Sequence, residues 1–446
     1  MNLQHIHNIY FIGIGGIGMS ALARYFKSNG KSVAGYDKTA SPITNSLESI
    51  DISIHYEDAI KNIPINFLNT EKTLVVYTPA VPKNHLELNY FIDNKFTVLK
   101  RAEILGIITQ ETFCMAVAGT HGKTTTSSIL GHVMAPSKAT AFLGGIAENY
   151  NSNLILGEDK LSVVEADEFD RSFLKLSPNI ACVTSMDADH LDIYGQHEEL
   201  LQSFKDFTAK VSNTLIVAKG LPLTGLTYAV NEEADYYATN INIVNGTYVF
   251  DVVTPTKTIN KIHFSLPGKH NLMNAMAALA MADVYGVEEA QIKNQLASFK
   301  GVQRRFSYKI KSDECVLIDD YAHHPTEITA VESSIRELYP DQKALVVFQP
   351  HLFSRTKDFV NDFAETLAKF DEIILLDIYP ARELPIPGVT SEWLLSIINN
   401  QNKILSTKRE LIKNIQQANS KVIAMLGAGD IGLLVKDVEQ ALKKRS

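Results

Sequence analysis

Two glycine-rich stretches, FIGIGGIGMSALA at 11–23 and VAGTHGKTTTSS at 117–128, each join an apolar run to a helical one, and either could cradle a phosphate. In the second, Gly119, Gly122, Lys123 and Thr124 have the types a P-loop needs. The lysine ammonium reaches the β and γ phosphates of a nucleotide and the threonine hydroxyl ligates Mg2+. The loop is a variant, because Val117 stands where the usual spacing places another glycine. In the first, Gly13, Gly15 and Gly18 spell GxGxxG, and Asp37 ends the next predicted strand at dinucleotide-site spacing. Taken alone that pattern points to a dehydrogenase, but its glycines and helix N-terminus would serve any nucleotide diphosphate. A third GxGxxG, Gly427, Gly429 and Gly432, has only one helix of chain behind it and predicts a tight turn at the C-terminal edge of the last sheet, with a substrate-facing role as the alternative.

Acidic and histidine clusters follow the predicted strands. EADEFD at 165–170 and DADH at 187–190 end two of them, where an open α/β sheet forms its ligand crevice. Glu165, first after its strand, is the candidate Mg2+ ligand, while Asp167 and Asp170 read as solvated or helix-capping. His190 reads as a metal or phosphate ligand or as structural, since Mg2+ prefers oxygen. Asn271 and Asn274, at i and i+3 near a helix start, either cap and pack the first turn or read a base or phosphate. Arg304 and Arg305 stand at a junction before the cluster Asp319, Asp320, Tyr321, His323 and His324. They read as surface charge or as an arginine delivered onto a γ-phosphate.

Three α/β segments must position these residues. Short apolar runs alternate with helical ones from 8 to about 107, again from FCMAVAG onward, and again after GVQRRF, which predicts βαβ units and parallel sheets. The boundaries expected are 1–107, 108–303 and 304–446. With 446 residues and 45% hydrophobic content the chain can bury large cores. A formal net charge of -8 argues against a nucleic-acid coat or a membrane-surface patch, which need massed Lys and Arg. Three cysteines without CxxC spacing argue against a disulfide framework or zinc site and fit a reducing cytoplasm. MNLQHIHN has no basic n-region of a signal peptide, so neither export nor a transmembrane helix is expected.

Taken together, AGTHGKTTT, EADEFDRSF, DADHLDIYG, GKHNLMNAMAA, RRF and DDYAHHPTE resemble the Mur ligase family, in its alanine-adding branch. RAEILG, FQPH, YPARELPIPGV and LGAGDI extend the resemblance through the whole chain. It implies an N-terminal Rossmann-like domain, a central P-loop ATPase-like domain with a mostly parallel sheet, and a C-terminal Rossmann-like domain closing over the site. The implied reaction joins the lactyl carboxylate of UDP-N-acetylmuramic acid to the amine of L-alanine through an acyl phosphate, releasing ADP and phosphate. ATP and Mg2+ or Mn2+ are the implied cofactors, with no obligatory protein partner.

By the same resemblance Gly13, Gly15, Gly16, Gly18 and Asp37 hold the UDP-sugar. Gly119, Thr120, His121, Gly122, Lys123, Thr124, Thr125, Asn271, Asn274, Arg305 and Asp320 bind ATP. Thr124, Glu165 and His190 hold metal, and Lys123, Glu165, His190 and Arg305 carry the chemistry. Tyr321, His323 and Arg355 are implied on the amino-acid side. Two departures bear on this: Leu352 replaces an arginine of the family's usual HRYTR run, and Phe204 stands where sister ligases carry a carbamoylated lysine, with Lys205 one position off. The alanine-adding branch generally lacks that lysine, so no carbamate is expected. Two rivals stay open: a recycling ligase attaching a preformed tripeptide to the same UDP-sugar, and an NAD-dependent oxidoreductase. The latter leaves Lys123, Glu165 and His190 without work.

Overall fold

The computed structural model describes residues 3–187, 197–244, 247–381 and 383–444. Three sheets form where the apolar alternation restarts. The first is all parallel, in the order Ser53–His55, Ser32–Tyr36, Asn8–Ile12, Thr73–Tyr77, Thr97–Lys100. Its middle strand NIYFI is buried at every position, which explains a continuous apolar run rather than an alternating one.

The second sheet has ten strands, and its site-bearing part runs Tyr236–Val244, Leu226–Val230, Thr214–Ala218, Ile180–Val183, Phe113–Ala118, Leu161–Glu165, Thr140–Ala147. Neighbours in that series pair in parallel, and Ser152–Ile155 adds an antiparallel edge. The polar stretch after 213 thus extends the same sheet. The third sheet runs Ser307–Lys311, Val316–Asp320, Val422–Leu426, Ala344–Phe348, Glu372–Leu375, Lys403–Leu405, parallel except for its first strand. Val422–Leu426 lies inside this sheet, and the third glycine motif turns at its carboxyl end.

The chain divides into two compact units. The first comprises Met1–Asn242, Val249–Phe264 and Met273–Lys300, and it holds the first sheet together with most of the second. Their union has a packing reason: Phe11, Met19 and Leu22 share one core with Cys114, Phe142 and Val164. The half-buried Tyr25 meets the buried Phe142 edge-on at 5.2 Å. Asn153, fully buried, donates from Nδ2 to the Ile17 carbonyl and to the Ser20 hydroxyl at the start of the first helix. That pins the glycine loop's helix to the second sheet.

The second unit comprises Ile243–Tyr248, Ser265–Leu272 and Gly301–Ser446. Its sheet is covered on both faces. One core gathers Phe348, Phe363 and Leu394, the other Leu411, Ile431 and Val435. Cys114 and Cys182 are free thiols buried in strands. Among the described residues no helix is long and apolar enough to cross a membrane.

Candidate active site

The strand Phe113–Ala118 runs into Gly119 and the helix Lys123–Met134 begins at Lys123, so the loop between them presents a helix N-terminus. Gly122 takes φ +81°, and a Cβ there would stand 2.5 Å from Oδ1 of Asn274. Only glycine fits such a position without strain. The next strand over braces the loop. Ser185 accepts from the His121 amide at 2.8 Å and meets the Thr120 hydroxyl at 3.0 Å, and the Asp187 amide donates to that same hydroxyl. Gly119 and Gly122 therefore shape the loop, while Thr120 and His121 tie it to the end of Ile180–Val183.

Lys123 curls over this loop. Its ammonium donates to the Gly119 carbonyl at 2.6 Å and to the Glu168 carboxylate at 2.8 Å. Burial alone would depress its pKa, but the carboxylates of Glu168, Glu165 and Asp167 outweigh that and hold it above the ordinary value, fully charged.

Thr124 and Glu165 come together as the sequence implies, the hydroxyl donating to Glu165 Oε1 at 3.0 Å. Glu165 Oε2 accepts the Gly144 amide at 3.0 Å. A threonine hydroxyl beside a carboxylate is a pair of hard oxygen donors, the set Mg2+ or Mn2+ favours, so these residues fit the implied ion. Among the described residues no cluster of three or more His, Cys, Asp or Glu stands ready for a metal, and His190 lies outside the described residues. Thr125, buried, continues the first turn of the same helix.

Asn274 packs on this loop and is no cap: its Oδ1 accepts from the Thr126 hydroxyl at 3.2 Å. Asn271 donates to the Pro267 carbonyl at 2.7 Å, packing the first turn of its helix. Asp167 is neither simply solvated nor a cap, because it pairs with Arg101 at 3.1 Å.

The first glycine loop carries its own geometry. Asp37 Oδ2 accepts the Gly15 amide at 2.7 Å, so the carboxylate braces the loop. Arg101 lies against Gly18, where an added Cβ would stand 2.8 Å from its guanidinium. A cavity of about 310 Å³ opens beside the first glycine loop and reaches Glu165, the partner of Thr124, lined by Gly16, Gly18, Thr78, Arg101, Gly144, Glu165 and Asp167 among others. Gly13 borders it through Thr78. Among the described residues Arg101 is the only cationic one lining it.

In the second unit, Asp320 is buried and accepts the amides of Phe306 and Ala322 at 2.6 and 2.7 Å. Burial raises its pKa to about 6, against Arg305 and those two amides. Arg305 stands over the Tyr321 ring at 5.5 Å and 3.9 Å from Glu327. Glu327 also accepts the His323 amide and lies 3.1 Å from its ring nitrogen, so one carboxylate gathers Arg305 and His323. His323 meets His351 edge-on, and His351 stacks on Tyr379. Arg355 sits half-buried in the short helix Phe353–Asp358, and Leu352 precedes it at φ +73°.

The third glycine motif is structural in its contacts: Arg304 donates to the Gly427 carbonyl at 2.6 Å and lies where a Cβ on Gly432 would stand. Phe204 is buried against Phe173, and Lys205 is exposed.

Sequence reading missed Arg101, Glu168 and Glu327 as site residues. Each sits inside a motif it quoted, RAEILG, EADEFD and DDYAHHPTE. The partners of Arg101 and Glu168 lie 66 and 45 residues away, where no spacing rule reaches, whereas Glu327 pairs with His323 at i,i+4 and caps its helix with His324, a local signal that could have found it.

Three family models match: the Mur ligase family catalytic domain over residues 8–112, the Mur ligase middle domain over 117–282, and the Mur ligase glutamate ligase domain over 304–435. A UDP-N-acetylmuramate–L-alanine ligase of Flavobacterium psychrophilum is 61% identical over 449 residues, covering 100% of both chains. The crystal structure of the Thermotoga maritima UDP-N-acetylmuramate-alanine ligase aligns with TM-score 0.84 and 27% identity over 98% of this chain and 100% of that one. A murein peptide ligase of Psychrobacter arcticus aligns with TM-score 0.71 at 22% identity over 98% of each chain, a likeness of fold. With P-loop, acidic partner and glycine loop in place along its whole length, the chain belongs to the Mur ligase family.

Proposed function

We propose that this chain is the ATP-dependent ligase that couples the lactyl carboxylate of UDP-N-acetylmuramic acid to L-alanine, giving UDP-N-acetylmuramoyl-L-alanine, ADP and phosphate for peptidoglycan precursor synthesis. The observation that carries it is the presence in one unit of two distinct glycine-loop cradles, the first beside a cavity that reaches Glu165, the carboxylate paired with Thr124 of the second. Gly13, Gly15, Gly16 and Gly18 take the UDP diphosphate, and residues 119–125 take ATP. A carboxylate resists direct attack by an amine because its oxygen leaves poorly. Transfer of the γ-phosphoryl group to it makes an acyl phosphate, the amine attacks the acyl carbon, and phosphate departs from the tetrahedral intermediate. Positioning and charge neutralisation supply most of the catalysis.

Arg101 would face the lactyl carboxylate in the cavity, and Lys123 the transferred phosphoryl group. Thr124 and Glu165 would hold Mg2+, with His190 at a second metal position. When bound, that ion neutralises phosphate charge. Asn271, Asn274, Arg305 and Asp320 would serve ATP, and Tyr321, His323 and Arg355 alanine. The work divides among domains 1–107, 108–303 and 304–446, in the cytoplasm where the nucleotide substrates are made.

The test is phosphate release from ATP and Mg2+ with UDP-N-acetylmuramic acid, with and without L-alanine, following product mass. Release that requires L-alanine and a product heavier by one alanyl residue supports the reading. Turnover with the murein tripeptide and none with L-alanine would move the chain to the recycling reaction.

A further inference from the structure

Glu168 has no exposed surface, yet it sits beside a loop built for a polyanion. Both of its carboxylate oxygens stand 2.8 Å from Nζ of Lys123. A buried negative charge at that place opposes phosphate binding through simple repulsion, so its presence calls for a compensating task.

The lysine's other contacts show what that task is. An ammonium has three protons on a flexible four-carbon stem, and nothing in the stem fixes how they point. Here the Gly119 carbonyl at 2.6 Å and the Glu168 carboxylate at 2.8 Å occupy two directions. The remaining contact, to the Thr120 carbonyl, is 3.3 Å and the weakest of the set. A phosphate oxygen is a far stronger acceptor than that long contact and can replace it without disturbing the other two.

We propose that Glu168 is a positioning residue for phosphoryl transfer, clamping the Lys123 ammonium against the Gly119 carbonyl so that its third proton is presented to the nucleotide's phosphates. The proposal rests on reading residues 119–124 as the ATP site. It requires that Glu168 act in two opposite ways. In the ground state its charge weakens nucleotide binding; in the transition state the fixed ammonium lowers the barrier.

Glu168→Gln keeps the shape and removes the charge. ADP affinity, measured by calorimetry with Mg2+, is expected to tighten about threefold or more, while kcat falls about tenfold or more. A purely structural residue gives the other pattern, weaker ADP binding together with lower kcat, and that result would overturn the proposal, as would an unchanged kcat. In a Lys123→Ala background Glu168→Gln should cost nothing further in kcat, and an additional loss also overturns it.

If Glu168→Gln does not fold, Glu168→Asp carries the test. It keeps the charge but withdraws it by one methylene, so kcat should fall about tenfold with ADP affinity unchanged, and a wild-type kcat in that variant defeats the clamp. Wild-type protein that binds no ADP would overturn the reading of the loop itself and the proposal with it. ADP binding by the wild type with a negative Glu168 result overturns the clamp alone.

Discussion

Glu87 is fully buried beneath the first sheet, where its carboxylate accepts the Tyr10 hydroxyl at 2.7 Å and the Ala59 amide at 3.2 Å. His55 lies 3.4 Å from it, and Asp58 holds His85 nearby. Burial raises the Glu87 pKa from 4.5 to about 7, the two hydrogen bonds opposing the shift. A carboxyl whose pKa is higher folded than unfolded binds its proton more tightly in the native state. Its contribution favours folding below the unfolded value and is lost as the pH rises through about 7. From about pH 5 to about pH 8 the wild type should therefore lose roughly 1–3 kcal/mol of unfolding free energy that Glu87→Gln does not lose. Urea denaturation of both proteins at a series of pH values checks this, and parallel curves would refute it.

At the scale of elements, the helix Lys123–Met134 depends on the conformation of the residue before it. Gly122→Ala places a Cβ at φ +81° and against Asn274, so stability should drop by roughly 1–3 kcal/mol in denaturant titration, with ADP binding weakened as well. A stable variant that binds ADP like the wild type would show that the loop tolerates another shape. Strand ends and helix starts of this kind were legible in the sequence because glycine, lysine and apolar periodicity are local signals. FCMAVAG, CVLIDDY, KALVVFQP and KVIAMLG all form strands where their apolar runs stand. The strands Ser307–Lys311 and Lys403–Leu405 were not legible, because both are short and partly exposed and lack an apolar run. The pairings Arg101–Asp167 and Lys123–Glu168 were hidden for a different reason. Lys123 and Glu168 meet only when two parallel strands set their carboxyl ends side by side, and Arg101 and Asp167 meet only when the first and second sheets pack together.

For the whole molecule, one unit carries both cradles on separate sheets that share a core, and the cavity beside the first loop reaches Glu165, the partner of Thr124. Asn153 and the Tyr25–Phe142 contact hold the first helix to the second sheet, which keeps the distance between cradles fixed. The central claim is that the first loop holds the UDP-sugar and the second holds ATP, independently. The most direct measurement is calorimetric binding of UDP-N-acetylmuramic acid and of ADP with Mg2+ to the wild type and to Lys123→Ala. The account predicts UDP-sugar affinity within about threefold of the wild type, ADP affinity lower by about tenfold or more, and turnover nearly abolished. Loss of UDP-sugar affinity as severe as the loss of ADP affinity would contradict the division of labour between the two loops.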